Sequence, residues 1–166
     1  MTDYRLPATT QGVSDLAEML SDPVEVLELI VEQFFDTEEV SLLNAVADNP
    51  FVTADLLERL ATHMTEEVRT CVANNWKTVP TVSLSVLASD ESVEVRSAVA
   101  SNPMTPVEAL VRLASDEDEE VRDAALSEVH RFPTDALVEL LKPNFPEVTV
   151  EMPREWLLGL VKTQAV

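Results

Sequence analysis

The sequence contains little cysteine, little glycine and little positive charge, and each shortage excludes a class of protein. Cys71 is the one cysteine among 166 residues, so no disulfide can form within the chain, and we expect a reducing, cytoplasmic setting. The two isolated glycines cannot build a loop that cradles a phosphate. Neither a signal peptide nor an apolar run of membrane length is recognisable. We expect one soluble globular domain without a membrane partner.

The charge is strongly one-sided, with 11 basic residues against 31 acidic ones and a net charge of −20. Such a surface repels phosphate groups, so direct binding to DNA or RNA is not expected. It attracts basic partners and speeds encounter with them. Two interpretations stay open, because the acids can serve solubility, including solubility in a saline habitat, or can draw in a basic protein.

The chain repeats itself at a spacing of about 26 residues, which is typical of solenoid proteins. The clearest copy is 95–121, VRSAVASNPMTPVEALVRLASDEDEEV. Its first helix is predicted to end at Asn102-Pro103, and Thr105 is predicted to cap the second helix, with Pro106 and Glu108 completing the start signal. The apolar residues with helical spacing are Val95, Ala98 and Val99, followed by Leu110, Leu113 and Ala114.

Asparagines stand one repeat apart at Asn49, Asn75 and Asn102. A polar residue recurring at a turn is expected to satisfy backbone groups there, since buried polar groups need partners. The sequence therefore predicts a structural ladder of asparagines.

Arginines also stand one repeat apart, at Arg69, Arg96 and Arg122, and Asp90 and Asp116 precede the last two by six residues. We expect a ladder of Asp–Arg pairs along the repeats. The alternative is a positive stripe that binds an anionic partner, so the three arginines are also candidate partner-binding residues.

Trp76 breaks the repeat rule because it replaces the turn proline, beside Lys77. Exposed aromatic side chains are enriched at binding hot spots, so Trp76 and Lys77 are candidate partner-binding residues. The alternative is a packed tryptophan that fills the gap left by one inserted residue.

The pattern VRxAVAxNPxTPxExLxxLAxD resembles the leucine-rich repeat variant family, whose short α-helical repeats are similar to HEAT repeats. Residues 95–121 match best, 42–67 and 68–94 match with substitutions, and 121–141 match at their start. The resemblance implies helix-pair repeats without β-strands, a scaffold with no single activity. Some members carry an iron–sulfur cluster on N-terminal cysteines, which this sequence lacks, so no cofactor is expected.

We therefore predict an all-α fold, a right-handed α-solenoid of about four helix-pair repeats of about 26 residues with capping helices at both ends. The single domain 1–166 would comprise an N-terminal helical cap at 1–38, repeats at 39–141 and a connector with a capping helix at 142–166. Within the last segment Val148-Thr149-Val150 has strand-like alternation. The alternative for 142–166 is a segment that docks on another chain.

Residues suited to catalysis or metal binding are sparse. His63 and His130 lack a partner at metal-site spacing, and Cys71 occupies a slot that holds alanine in other repeats, so we expect a core thiol, no metal and no enzyme.

The leading hypothesis is a scaffold for protein–protein interaction, with an unassigned oligomeric state. The alternative is an acidic inhibitor that imitates nucleic acid and occupies a basic DNA- or RNA-binding protein. A glycosylase similar to HEAT-repeat enzymes would need a basic surface, which the charge opposes. Acids on one continuous face would favour mimicry, and acids confined to turns would favour the scaffold.

Overall fold

The computed structural model describes residues 23–37 and 39–164, and the regular structure there is helical throughout. Ten α-helices and one 3₁₀ helix occur in this part of the chain, without a β-strand, so the predicted all-α class is confirmed. In order they are α1 Pro23–Phe34, α2 Val40–Ala47, α3 Ala54–Leu60, α4 Glu66–Asn74, α5 Thr81–Leu87, α6 Val93–Ser101, α7 Val107–Leu113, α8 Glu119–Ser127, the 3₁₀ helix Val129–Arg131, α9 Thr134–Leu141 and α10 Arg154–Gln164.

The chain divides into two compact units between Ser83 and Leu84. In the first unit α1 packs on α2, α2 packs on α4, and α3 contacts both α2 and α4. In the second unit α6 packs on α8, α7 contacts both, and α10 packs on α9. In each unit, the first helix of one repeat packs on the first helix of the next. This stacking is consistent with an α-solenoid; the handedness, the number of repeats and the single domain stay predictions.

Helices α2 to α9 are only seven to nine residues long. Helices of this length are not stable alone in water, so packing must stabilise them. Val95, Val99, Leu110 and Leu113 are fully buried, as their spacing predicts, and such burial contributes roughly 1.5–3 kcal/mol per side chain. Ala98 is only half-buried, and Ala100 is the buried alanine of α6.

The predicted N-cap at Thr105 is wrong. Helix α7 begins at Val107 with Pro106 in the cap position, and no side chain caps it. The Thr105 hydroxyl is instead fully buried and donates to the carbonyl oxygen of Val99 at 2.6 Å. A hydroxyl can satisfy either helix terminus, and here it satisfies a carbonyl in the last turn of α6, where intrahelical donors run out.

The strand-like alternation at Val148-Thr149-Val150 does not produce a strand. These residues lie in a turn region, with Val148 buried and Val150 exposed, and the chain continues into α10. The spacing within 152–161 predicts an apolar helical face of Trp156, Leu157, Leu160 and Val161. Helix α10 buries Leu157 and Val161, but Trp156 is 45% exposed.

In the predicted N-terminal cap, helix α1 buries four apolar side chains. The sequence also predicts a short amphipathic helix at 13–20, which lies outside the described residues.

Arg69, Arg96 and Arg122 make the same contact in three repeats, which we call the arginine clamp. Each places Nη1 on the carbonyl oxygens of the residues six and five positions earlier, at 2.7–3.3 Å. These carbonyls belong to the turn that joins one repeat to the next. The clamped residues are His63 and Met64, Asp90 and Glu91, and Asp116 and Glu117.

The first residue of each clamped turn also closes the turn with its own side chain. Asp90 accepts the Ser92 N–H at 2.9 Å, and Asp116 accepts the Asp118 N–H at 3.0 Å. In the earlier repeat the Nδ1 atom of His63 accepts the Thr65 N–H at 3.1 Å, so an imidazole replaces the carboxylate. Because Nδ1 accepts, the proton of the neutral ring lies on Nε2, which donates to the carbonyl of Phe35 at 2.7 Å.

Arg96 pairs with a carboxylate from the next repeat. Its Nε and Nη2 atoms contact the two oxygens of Asp116 at 2.8 and 2.9 Å, and both side chains are about nine-tenths buried. Asp90, six residues before Arg96, offers Arg96 its backbone carbonyl. The hydrogen bonds from Arg96 lower the pKa of Asp116 below its usual range, against the opposing effect of burial.

We expect Asp116→Asn to lower the free energy of unfolding by about 2–4 kcal/mol, because Arg96 would keep a buried charge without its counter-ion. The lowered pKa means that the carboxylate stabilises the fold above the unfolded pKa of about 3.9 and that this contribution is lost as the pH falls through the lower, folded pKa. Urea titrations of both proteins at several pH values test this.

The difference between wild type and variant should be full at neutral pH and should shrink below about pH 4. Asp123→Asn, which removes an exposed acid from α8, is the matched control and should cost less than about 0.5 kcal/mol. Equal losses from both variants would contradict the buried pair.

Candidate functional site

In three repeats, the turn after the first helix is held by an asparagine side chain. The Oδ1 atom of Asn49 accepts the Phe51 N–H at 2.9 Å, and that of Asn102 accepts the Met104 N–H at 2.8 Å. Such a bond between an asparagine side chain and the backbone two residues later is typical of a tight turn. We call this segment the asparagine turn.

Asn75 holds the middle of the three asparagine turns. Its Oδ1 accepts the N–H groups of Lys77 and Thr78 at 3.1 and 2.9 Å, and its Nδ2 donates to the carbonyl of Ala47 at 2.8 Å. The last bond links α4 to the end of α2, one repeat earlier. The side chain thus fixes the turn that presents Trp76.

Each asparagine turn exposes one large apolar side chain. Phe51 is 57% exposed, Trp76 is 59% exposed and Met104 is 47% exposed. They follow their asparagines by two, one and two positions. The core does not need these side chains, and the same local turn displays them in three repeats. The alternative in which Trp76 packs inside to fill a gap is therefore wrong.

Trp76 and Lys77 line a small surface pocket with Asp48, Asn74 and Asn75. The pocket has a volume of about 180 Å³. The Nζ atom of Lys77 lies 5.5 Å from the centroid of the Trp76 ring, within the range of a cation–π contact. The structure thus brings together two of the predicted partner-binding residues and adds Asp48, which the repeat pattern did not single out.

The three arginines do not line this pocket. Arg69 and Arg96 are more than nine-tenths buried, and Arg122 is half-buried. Their Nη1 atoms hold turn carbonyls, and Arg96 is further engaged by Asp116. Burial leaves Arg69 and Arg96 little surface for a partner. A binding role for the arginines stays a prediction.

A second, more open groove of about 350 Å³ lies in the second unit between neighbouring repeats. It is lined by both signs of charge, including Arg96, Arg112, Asp116 and Glu117. Arg112 is exposed and donates to the carbonyl of Ser85 at 3.0 Å. Arg96 and Asp116 pair with each other in this groove, while Glu117 and Arg112 remain exposed along it.

Cys71 was expected to be a core residue, but its side chain is only half-buried. Its thiol lies 3.4 Å from Oδ1 of Asp48 and 3.6 Å from the carbonyl oxygen of Asn44. Burial, the negative charge of Asp48 and the hydrogen bond to that carboxylate raise the pKa of Cys71 to about 12. At neutral pH the sulfur is a thiol and a poor nucleophile.

The described residues 23–37 and 39–164 hold no group of three or more histidine, cysteine or acidic side chains suited to a metal ion. In the same part of the chain, none of the helices combines the length and the apolar character needed to cross a bilayer.

We expect Asp48→Asn to speed alkylation of Cys71 about threefold to tenfold at pH 8.5. Removing the carboxylate charge lowers the thiol pKa and raises the thiolate fraction, while burial keeps part of the shift. The rate of iodoacetamide labelling, followed by mass, measures this without interference from another cysteine. Asp55→Asn, an exposed acid at the start of α3, should leave the rate unchanged, and a wild-type rate that levels off below pH 9 would contradict the raised pKa.

The comparisons with known proteins bear on one repeat. Residues 93–118 match the sequence model of the leucine rich repeat variant family. The match covers α6, α7 and the clamped turn that includes Asp116 and Glu117. No curated protein and no solved structure matches the chain. The resemblance is therefore confirmed for the repeat at 93–118, which is similar to the leucine rich repeat variant.

Proposed function

We propose that the protein is a non-enzymatic repeat scaffold that mediates protein–protein interaction. The observation that carries the proposal is the exposed apolar side chain at the asparagine turn of three repeats, Phe51, Trp76 and Met104. Aromatic residues and methionine are enriched at the centres of protein interfaces, where a partner removes them from water. The hydrogen-bonded turn holds the backbone at each of these positions, so less backbone freedom is lost on binding.

The positions of the acids support a scaffold. Eight of the ten α-helices in the described residues carry an acid in the first turn, and these acids are exposed. A carboxylate at this position interacts favourably with the helix dipole and the free N–H groups. About a third of the acids, ten of 31, therefore lie where they stabilise helix starts, which favours the scaffold over a nucleic-acid mimic.

One acidic face does favour mimicry as the second candidate function. Glu25, Glu28 and Glu32 are exposed on one side of α1, which contains no basic residue. A mimic would bind its basic partner mainly through charge, and its affinity would fall steeply with added salt because screening shortens the range of such contacts. Affinity retained at high salt would count against mimicry and for apolar docking.

The proposed partner is a protein, and the net charge of −20 favours a basic one. Long-range attraction speeds encounter, whereas the apolar side chains at the asparagine turns supply contacts that persist once water is excluded.

The test compares proteins captured from lysate by the wild type and by the double variant Phe51→Ser and Met104→Ser. We expect partners to be retained at least about tenfold less by the double variant, since interface anchors of this kind contribute above 1 kcal/mol each. Val150→Ser, which changes an equally exposed apolar residue outside the repeats, is the control and should retain them. Equal retention by all three proteins would refute the scaffold as proposed.

A further inference from the structure

We propose that the pocket at Trp76 binds the side chain of an arginine from a basic partner segment, with the guanidinium on the indole face and hydrogen-bonded to the carboxylate of Asp48. The inference rests on the proposed function and deepens it, because it assigns the chemistry that the partner presents. It depends on the size of the pocket, the exposure of the Trp76 ring and the lack of a cation paired with Asp48 among the described residues.

The pocket has the dimensions of a side-chain site. Its volume of about 180 Å³ is below the roughly 300–1,000 Å³ of small-molecule sites. Trp76 is 59% exposed, so one wall remains open to solvent and a peptide backbone can pass over it. One long side chain of a partner fits this description better than a cofactor or a substrate.

The ring of Trp76 already accepts a cation. The ammonium of Lys77 lies 5.5 Å from the ring centroid, which shows that a positive group reaches the aromatic surface without obstruction. In the free protein Lys77 occupies this position by itself. An incoming guanidinium must share the ring or displace Lys77, so Lys77 is expected to compete with the partner.

The carboxylate of Asp48 is available to a partner. In the described part of the chain, residues 23–37 and 39–164, no cation pairs with it, and its contact is the neutral thiol of Cys71 at 3.4 Å. A partner that covered this carboxylate with an apolar group would leave a desolvated charge, which is costly. A partner carboxylate would meet like charge from Asp48 and from a protein of net charge −20.

Arginine suits the pocket better than lysine. Its guanidinium is planar, so it can stack on the indole while its edge donates two parallel hydrogen bonds to a carboxylate. Trp76 and Asp48 supply these two kinds of contact to one pocket. The same fork geometry already appears within the chain, where Arg96 holds both oxygens of Asp116.

The experiment uses two acetylated, amidated peptides, Gly-Ser-Arg-Ser-Gly and the same peptide with neutral citrulline in place of arginine. The full chain carries Trp156→Phe, which leaves Trp76 as the one tryptophan, and its indole N–H resonance is followed by NMR. We expect saturable binding of the arginine peptide with at least about fivefold preference over citrulline, as expected when a charged hydrogen bond is lost.

Two variants are expected to change the affinity in opposite directions, and a third is the control. Asp48→Asn should weaken the arginine peptide at least about fivefold, and Lys77→Ala should strengthen it about twofold or more, since it frees the ring and removes a like charge. Asp55→Asn removes the same charge from another site and should change the affinity less than twofold. Equal binding of citrulline, loss of affinity in Lys77→Ala or equal effects of the two aspartate variants would each overturn the proposal.

The outcome is separable from that of the proposed function. If the arginine preference is absent while the double variant of Phe51 and Met104 still loses its partners, only the assignment of the pocket fails. If the peptide binds as expected while that double variant keeps its partners, the arginine site stands and the scaffold with apolar anchors is refuted.

Discussion

The arginine clamp is the contact on which the repeat depends. Each turn between repeats ends in carbonyl groups that no helix can satisfy, and a guanidinium has enough donors to bind two of them and still reach a carboxylate. Helices of seven to nine residues are not stable alone, so the fold requires each turn to fix the direction of the next helix. Arg96 does this from within the helix that it orients, and its remaining edge binds Asp116 of the following repeat. One side chain thus sets both the turn and the stacking of two repeats.

The two turns of a repeat are closed by different side chains: an arginine closes one turn and an asparagine closes the other. The clamped turn is closed by a guanidinium that is buried in two repeats and half-buried in the third, and its exposed side chains are Met64, Glu91 and Glu117. The asparagine turn is closed by a small neutral amide, and one of the next two positions carries Phe51, Trp76 or Met104. Of the three clamped turns, the one at His63 also exposes a large apolar side chain, Met64, whereas all three asparagine turns expose one. The proposed partner contacts are therefore placed at the asparagine turns.

Much of the fold was predictable from periodicity, because a buried stripe leaves a spacing that is visible in the sequence. Val95, Val99, Leu110 and Leu113 are buried as expected, and so are Leu157 and Val161 of α10, whereas Trp156 of the same predicted face is exposed. Contacts that depend on the reach of a side chain were not predictable. Spacing suggested Asp90 for Arg96, yet the carboxylate that Arg96 binds comes from the next repeat, and Thr105 satisfies a carbonyl where its pattern suggested a cap.

Part of the candidate site was also predictable from the sequence, and part was not. Trp76 and Lys77 stood out because they break the repeat, and the exposure of Trp76 followed only from the folded chain. Asp48 carried no signal, since a lone acid in an acidic sequence is common. It becomes notable when folding of α2 and α4 places it beside Trp76. Neighbours of this kind, one repeat apart, require the packed structure.

The shortage of basic residues means that the Trp76 pocket must be distinguished by more than its acid. With 31 acids and 11 basic residues, most carboxylates have no cation within the chain, so acidity alone cannot mark a site. Exposed carboxylates remain hydrated and gain little from a single counter-ion. A carboxylate beside an exposed indole can gain more from a counter-ion than these exposed carboxylates do. A partner that covers the ring also removes water from the carboxylate, and this strengthens its attraction for a cation. The field of the whole protein draws basic partners to many places, and the pocket of Trp76 and Asp48 joins that attraction to an apolar contact. In the proposed site, this combination is what would convert general attraction into selection for arginine.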